Sequence, residues 1–177
     1  MTDSTDIVLM RRIADGSEDD LRELIGRYRE RLYRLSYGLL SDRAAADDAV
    51  QETFIRLWTR ARHYDPRHTV ATWLYTICAR RCYDELRRRR RHREALEMME
   101  MPVADGGSMD ADRVVALLRQ VVATLPPKQR LVYQMREIEC LDTETTAEAA
   151  RMTVDQVKAN LWNARNTVRE KLKQYGI

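Results

Sequence analysis

From Leu21 to Leu39 the residues Leu21, Leu24, Ile25, Tyr28, Leu32, Leu35 and Leu39 recur at steps of three and four. Only an α-helix gathers that spacing onto one face, and Arg22, Arg27, Arg29, Glu30 and Arg34 fall off the stripe as a solvated face requires. The same period returns in most of the chain. Glycine (6) and proline (4) are scarce among 177 residues, which leaves little material for the turns of a strand architecture. The expected fold class is all-α.

Turn and cap residues divide the helices. Ile7 to Ile13 reads as a short helix, and Asp15-Gly16-Ser17 supplies a turn with Ser17 as the next N-cap. The long helix ends at about Leu40, where Ser41-Asp42 opens a second one. That helix runs to His63, and Pro66 then forces a loop, because the residue before proline is driven out of helical conformation. Thr69 or Thr72 caps a third helix, Val70 to Arg91, expected to bury Val70, Trp73, Leu74, Ile77 and Cys78. Its other side carries Thr76, Arg80, Tyr83 and Arg87, a basic stripe around an aromatic ring, and it ends in the run Arg87 to Arg91. Such a run favours phosphates through counterion release and adds affinity more than specificity.

The second helix has two distinct faces. Ala46, Val50, Thr53, Phe54, Leu57 and Ala61 form the inward stripe, while Asp48, Gln51, Glu52 and Ile55 align opposite it with Asp47 alongside. Carboxylates around one apolar residue that the core does not reach suggest a docking surface.

Net charge is only +3, so a case for nucleic acid rests on where the charge sits. Residues 1–93 hold 20 Lys and Arg against 15 Asp and Glu, residues 94–109 hold 0 against 4, and residues 110–177 hold 11 against 9. The acidic stretch contains Pro102 and Asp105-Gly106-Gly107-Ser108, and reads as a flexible linker between two small helical domains, 1–93 and 110–177. In the second domain Val114, Val115, Leu118, Val121 and Val122 mark a helix that stops at Leu125-Pro126-Pro127. Lys128 to Glu139 form another, with Leu131, Val132, Met135 and Ile138 inward. A short helix from Thr143 to Arg151, a break, and a longer helix from Thr153 to Tyr175 make a helix-turn-helix pattern. Gln156, Lys158, Ala159, Trp162 and Asn163 lie on the outer face of the last helix, where a recognition helix meets base edges.

Other classes find little support. Cys78, Cys82 and Cys140 read as buried free thiols, and His63, His68 and His92 show no metal-ligand spacing, so no metal or other cofactor is expected. No glycine-rich phosphate loop or paired nucleophile and base points to an enzyme. The opening MTDSTDIVLMRRIADG has no signal-peptide pattern and no apolar run is long enough to span a bilayer, so a cytoplasmic protein without membrane insertion is expected.

Taken together, these segments resemble the extracytoplasmic-function group of sigma-70 family RNA polymerase sigma factors. LIGRYRERLYRLSYGLLSDRAAADDAVQETFIRLWTRARHYDPRHTVATWLYTICARRCYDELRRR is similar to sigma region 2, and LPPKQRLVYQMREIECLDTETTAEAARMTVDQVKANLWNARNTVREKL to sigma region 4. The resemblance implies that Asp47, Asp48, Gln51, Glu52 and Ile55 dock on a coiled coil of the largest catalytic subunit of core RNA polymerase. It implies that the loop from Arg60 to Thr72, with His63, Tyr64, Arg67 and His68, takes up a flipped minus-ten base, and that Arg80, Tyr83 and Arg87 follow the melted strand. It assigns Gln156, Lys158, Ala159, Trp162 and Asn163 to the minus-thirty-five element of promoter DNA. An anti-sigma factor is a common further partner in that group.

Departures from the family pattern bear on the second domain. Ala159, Asn160 and Asn163 stand where a serine and two arginines are common, trading donors suited to guanine for one suited to adenine or thymine contacts. Arg151 replaces a turn glycine, and Thr146, Ala149 and Ala150 stand where larger aliphatics are usual, so looser packing and an altered turn are expected there. The competing reading is a free-standing helix-turn-helix regulator, which has no need for the acidic docking face or the aromatic-basic third helix.

Overall fold

The computed structural model describes residues 3–95 and 111–175. Among the described residues every regular element is helical: α1 (Asp3–Ala14), α2 (Glu18–Leu40), α3 (Arg43–Arg60), α4 (Val70–Ala95), α5 (Ala111–Ala123), α6 (Pro127–Tyr133), α7 (Thr143–Ala150) and α8 (Val154–Gln174). A 3₁₀ turn, Ala61–His63, follows α3, and a π-helical segment, Gln134–Ile138, continues α6. The all-α expectation holds. Most of the expected linker, 94–109, lies outside the described residues, and α4 runs on to Ala95.

Local chemistry sets the helix starts. Ser17 Oγ accepts from the Asp20 N–H at 3.3 Å, Asp42 Oδ1 from Ala45 at 3.1 Å, Thr69 Oγ1 from Thr72 at 3.0 Å and Thr153 Oγ1 from Gln156 at 3.2 Å. Each satisfies a backbone donor that the helix leaves unpaired, and each is worth about 1 kcal/mol. Ser41 closes α2 in the left-handed conformation, which turns the chain directly into α3.

The first four helices wrap one core. Leu24, Leu32, Leu35 and Leu39 of α2 meet Val50, Phe54 and Leu57 of α3 and Val70, Leu74 and Cys78 of α4. The inward stripe expected for α3 is buried throughout, from Ala46 to Ala61. α1 is tied to α2 by the buried Asp6 carboxylate, which accepts from Tyr28 Oη at 2.5 Å and pairs with Arg27. In the second half, Val121, Val122 and Tyr133 pack with Ala164 and Val168 of α8, and Val132 and Ala147 pack with Val157 and Leu161.

Several expected core positions differ. Trp73 and Ile77 are only half-buried, while Tyr75 is wholly buried, because α4 is flanked by α2 and α3 on one side and by α7 on another. Ile138 is exposed and Glu139 buried: the π turn adds a residue to the helical cycle and rotates the following side chains past their α-helical register. Val114 and Val115 are exposed, since the covered part of α5 is its second half. Cys140 is exposed rather than buried. At the break between α7 and α8, Arg151 itself adopts the left-handed conformation (φ 53°), at a cost of about 1–2 kcal/mol for a residue with a Cβ. The turn therefore forms without glycine. Of the three small residues on α7, Thr146 and Ala149 are buried and Ala150 is half-buried.

A charge cluster joins α4 to the start of α3. The buried Glu85 carboxylate accepts from Arg88 Nε and Nη2 and from Arg89 Nε, each at 2.9 Å, and Arg89 Nη2 reaches Asp42 Oδ2 at 2.9 Å. The hydrogen bonds from Arg88, then Arg89, hold the Glu85 carboxyl down at about 2. A depressed carboxyl stabilises the fold fully above its unfolded value of about 4.3, and the gain is lost as pH falls toward about 2. Glu85→Gln should therefore lower stability by about 1.5–3 kcal/mol at neutral pH, measured by urea unfolding. The gap from wild type should shrink between pH 4 and pH 2; a gap independent of pH would show that the charge is not what matters.

Candidate functional site

α2 and α3 leave a groove of about 750 Å³ between them. Leu21 and Ile25 of α2 and Val50, Phe54, Ile55 and Trp58 of α3 give it an apolar floor; Glu18, Arg22, Arg29, Asp47 and Gln51 form its rim. Ile55 is 49% exposed and Trp58 36%, although both lie in a helix with a well-filled inner face. An apolar groove with a polar rim has the make-up of a protein-docking site.

Of the five α3 residues expected to dock, Asp47, Gln51 and Ile55 line this groove. Asp48 is exposed on the same helix but does not line it, and Glu52 is half-buried with its carboxylate held by Arg56 Nε at 2.8 Å. Periodicity alone puts Leu21 and Ile25 on the inward stripe of α2, whereas in the structure they line the α2 half of the groove. Their spacing shows that they share the core stripe; it does not show that no helix covers that end.

A second surface runs from the loop after α3 along α4. Tyr64 packs against Trp73 with ring centroids 5.4 Å apart, and its hydroxyl donates to the His68 carbonyl at 2.5 Å. Asp65 holds Arg67 by side chain and by backbone N–H, and these bonds depress its carboxyl to about 2. The loop is therefore built in advance, with His63 exposed at its start. Beside Tyr64 and Pro66 a cleft of about 220 Å³ is closed by Ile7, Met10 and Ala14 of α1, with Arg11 and Arg62 at its mouth.

On α4, Arg80 and Arg87 are exposed and Tyr83 is half-buried. Burial pushes the Tyr83 phenol up to about 12, and its hydroxyl donates to the Pro127 carbonyl at 3.3 Å. His68 Nδ1 lies 2.5 Å from Glu148 Oε1 on α7. Two of the expected minus-ten residues thus touch the second half of the chain. Arg88 and Arg89 serve the Glu85 cluster and Arg87 pairs with Asp84 at 3.2 Å, while Arg80 and Arg91 are exposed on α4.

The outer face of α8 is open. Lys158, Ala159, Trp162 and Asn163 are all exposed, Trp162 at 67%. Gln156 is exposed too, but its Oε1 accepts from the Thr153 N–H at 3.0 Å to complete a capping box, so that oxygen belongs to the helix start. Arg165, one turn further on, pairs with Glu137 at 2.7 Å. Among the described residues no group of three His, Cys, Asp or Glu side chains is placed to hold a metal, and no helix is long and apolar enough to cross a membrane.

Known proteins are similar to this chain in sequence and in fold. Residues 24–92 match the family Sigma-70 region 2. The ECF RNA polymerase sigma factor SigW of Bacillus subtilis is 27% identical over 93% of this chain and 95% of its own length. The ECF RNA polymerase sigma factor SigE of Mycolicibacterium smegmatis is 30% identical over 86% of this chain and 62% of its own. The sigma factor RpoE of Bartonella quintana, solved with the anti-sigma factor NepR, has the same fold, with a TM-score of 0.74 at 22% identity over 87% of this chain and 97% of that one. These matches support a sigma factor of the sigma-70 family, similar to its extracytoplasmic-function group, in promoter-specific transcription initiation.

Proposed function

We propose that the α2–α3 groove is where this sigma factor takes hold of core RNA polymerase. The carrying observation is the apolar floor of Ile25, Ile55 and Trp58, left uncovered by the helices among the described residues and edged by Asp47 and Gln51. A helix of a coiled coil laid in such a groove buries the floor, and the charged rim orients it. Residues 1–93 then form the polymerase-binding and minus-ten unit, residues 110–177 the minus-thirty-five unit, and 94–109 the acidic connection.

The loop at Tyr64 and the exposed face of α4 take the minus-ten strand. A base leaving the duplex costs a few kcal/mol of unstacking, which stacking on an aromatic ring and contacts to Arg80 and Arg87 would offset. The α7–α8 unit reads the upstream element through Lys158, Ala159, Trp162 and Asn163. The protein carries out no chemistry of its own; the polymerase does, in the cytoplasm. An anti-sigma factor, the partner present in the Bartonella quintana complex, would regulate this chain by covering the same surfaces.

Gel filtration with core enzyme tests the reading. The protein should co-elute with core polymerase, and without polymerase it should show only weak, salt-sensitive affinity for duplex DNA. Separate elution from core, together with tight sequence-specific duplex binding by the protein alone, would establish the free-standing regulator instead.

A further inference from the structure

We propose that this chain latches itself shut through Glu139, and that the closed form engages His68 and Tyr83 of the minus-ten surface until the latch opens. The Glu139 side chain is completely buried, yet the charges that hold it come from the other half of the chain. Arg34 grips it with two nitrogens, Nε on Oε1 at 2.9 Å and Nη2 on Oε2 at 3.2 Å. Arg31 Nε lies 3.4 Å from Oε2 and its Nη2 donates to the Glu139 carbonyl at 3.3 Å, while Tyr75 Oη donates to Oε2 at 3.1 Å. The π turn before Glu139 aims it inward.

Apolar packing and shape agree with this charge cluster. Leu131, Met135, Leu141 and Ala149 join the core of α1–α4 rather than forming one of their own. Arg130 Nη1 donates to the Leu39 carbonyl at 3.0 Å, at the open end of α2. Gly38, inside α2, faces the buried Gln134 side chain so closely that a Cβ there would overlap its amide. Glycine in a helix interior is unfavourable by itself, so its presence at this point fits a requirement for close approach.

The contacts define two states. A buried carboxylate is tolerated only while its partners are in place, so the latch holds as a set and fails as a set. In the closed state His68 pairs with Glu148 and Tyr83 with Pro127, which engages two minus-ten residues. The minus-ten and minus-thirty-five elements lie about 25 base pairs apart, or about 80 Å of duplex. Halves in direct contact do not reach both, so promoter recognition requires opening; this consequence rests on the sigma-factor reading, whereas the latch itself does not.

Small-angle scattering of the full chain reads the latch directly. Wild type should have a radius of gyration near the roughly 16 Å of a compact chain of this length, and Arg31→Gln/Arg34→Gln should raise it by about 5 Å or more. Glu30→Gln, which removes an exposed partner of Arg34 and leaves Glu139 held, should not change it. A double variant with the wild-type radius, or an extended wild type, would overturn the proposal. Should the double variant lose its helical circular dichroism, Gly38→Leu reads the same equilibrium without touching charge: expansion supports the latch and an unchanged radius refutes it. Failure of the sigma-factor reading would show separately, as loss of co-elution with core polymerase while the radius still responds.

Discussion

Ile55→Glu is expected to weaken binding to core RNA polymerase by about 2–3 kcal/mol, about 30-fold to 150-fold in affinity, with the fold intact. The side chain is half exposed in the free protein and makes up part of the groove floor. Its value in the complex is that of an aliphatic group moved from water to a closed contact, and a carboxylate there adds a desolvation penalty. Titration of labelled core enzyme with the variant, alongside a urea unfolding curve, checks both halves of the statement. Wild-type affinity in Ile55→Glu would move the docking surface away from this groove.

The second large effect is on base preference. Asn163 is exposed on the outer face of α8, one turn beyond Ala159. Asparagine bonds adenine bidentately, whereas arginine suits guanine, and one good pair discriminates by about 1–3 kcal/mol. Selection of upstream elements from a randomised pool should therefore yield a guanine-containing position for Asn163→Arg that the wild type lacks. Lys158→Ala, a change at an exposed cation, should weaken all sequences alike and reduce the salt dependence. An unchanged selection profile for a well-folded Asn163→Arg would remove this position from the readout.

Much of the molecule was legible in its residues because the signals were local. The period of α2 and α3 and the cap at Ser17 act over three or four residues and appear as expected, and of Thr69 and Thr72 it is Thr69 that caps α4. What escaped depends on neighbours. Tyr75 and Glu139 are buried by each other across 64 positions of sequence, and a helical wheel with a constant 100° step places Ile138 inward because it does not anticipate a π turn. Leu21 and Ile25 share the apolar stripe of α2, but periodicity does not say where packing stops, and the groove begins where it does. Arg88 and Arg89 looked like phosphate ligands in a basic run; Glu85 and Asp42, one turn and one helix away, engage them.

The central claim is that this chain gives core RNA polymerase a promoter preference, and run-off transcription tests it most directly. Core enzyme and a mixed pool of upstream DNA fragments should yield discrete transcripts from a small subset when this protein is added, and none from those start sites without it. Ile55→Glu at the same concentration should sharply reduce those transcripts. Transcripts that do not depend on the protein, or a protein that binds core polymerase and leaves its start sites unchanged, would contradict the account.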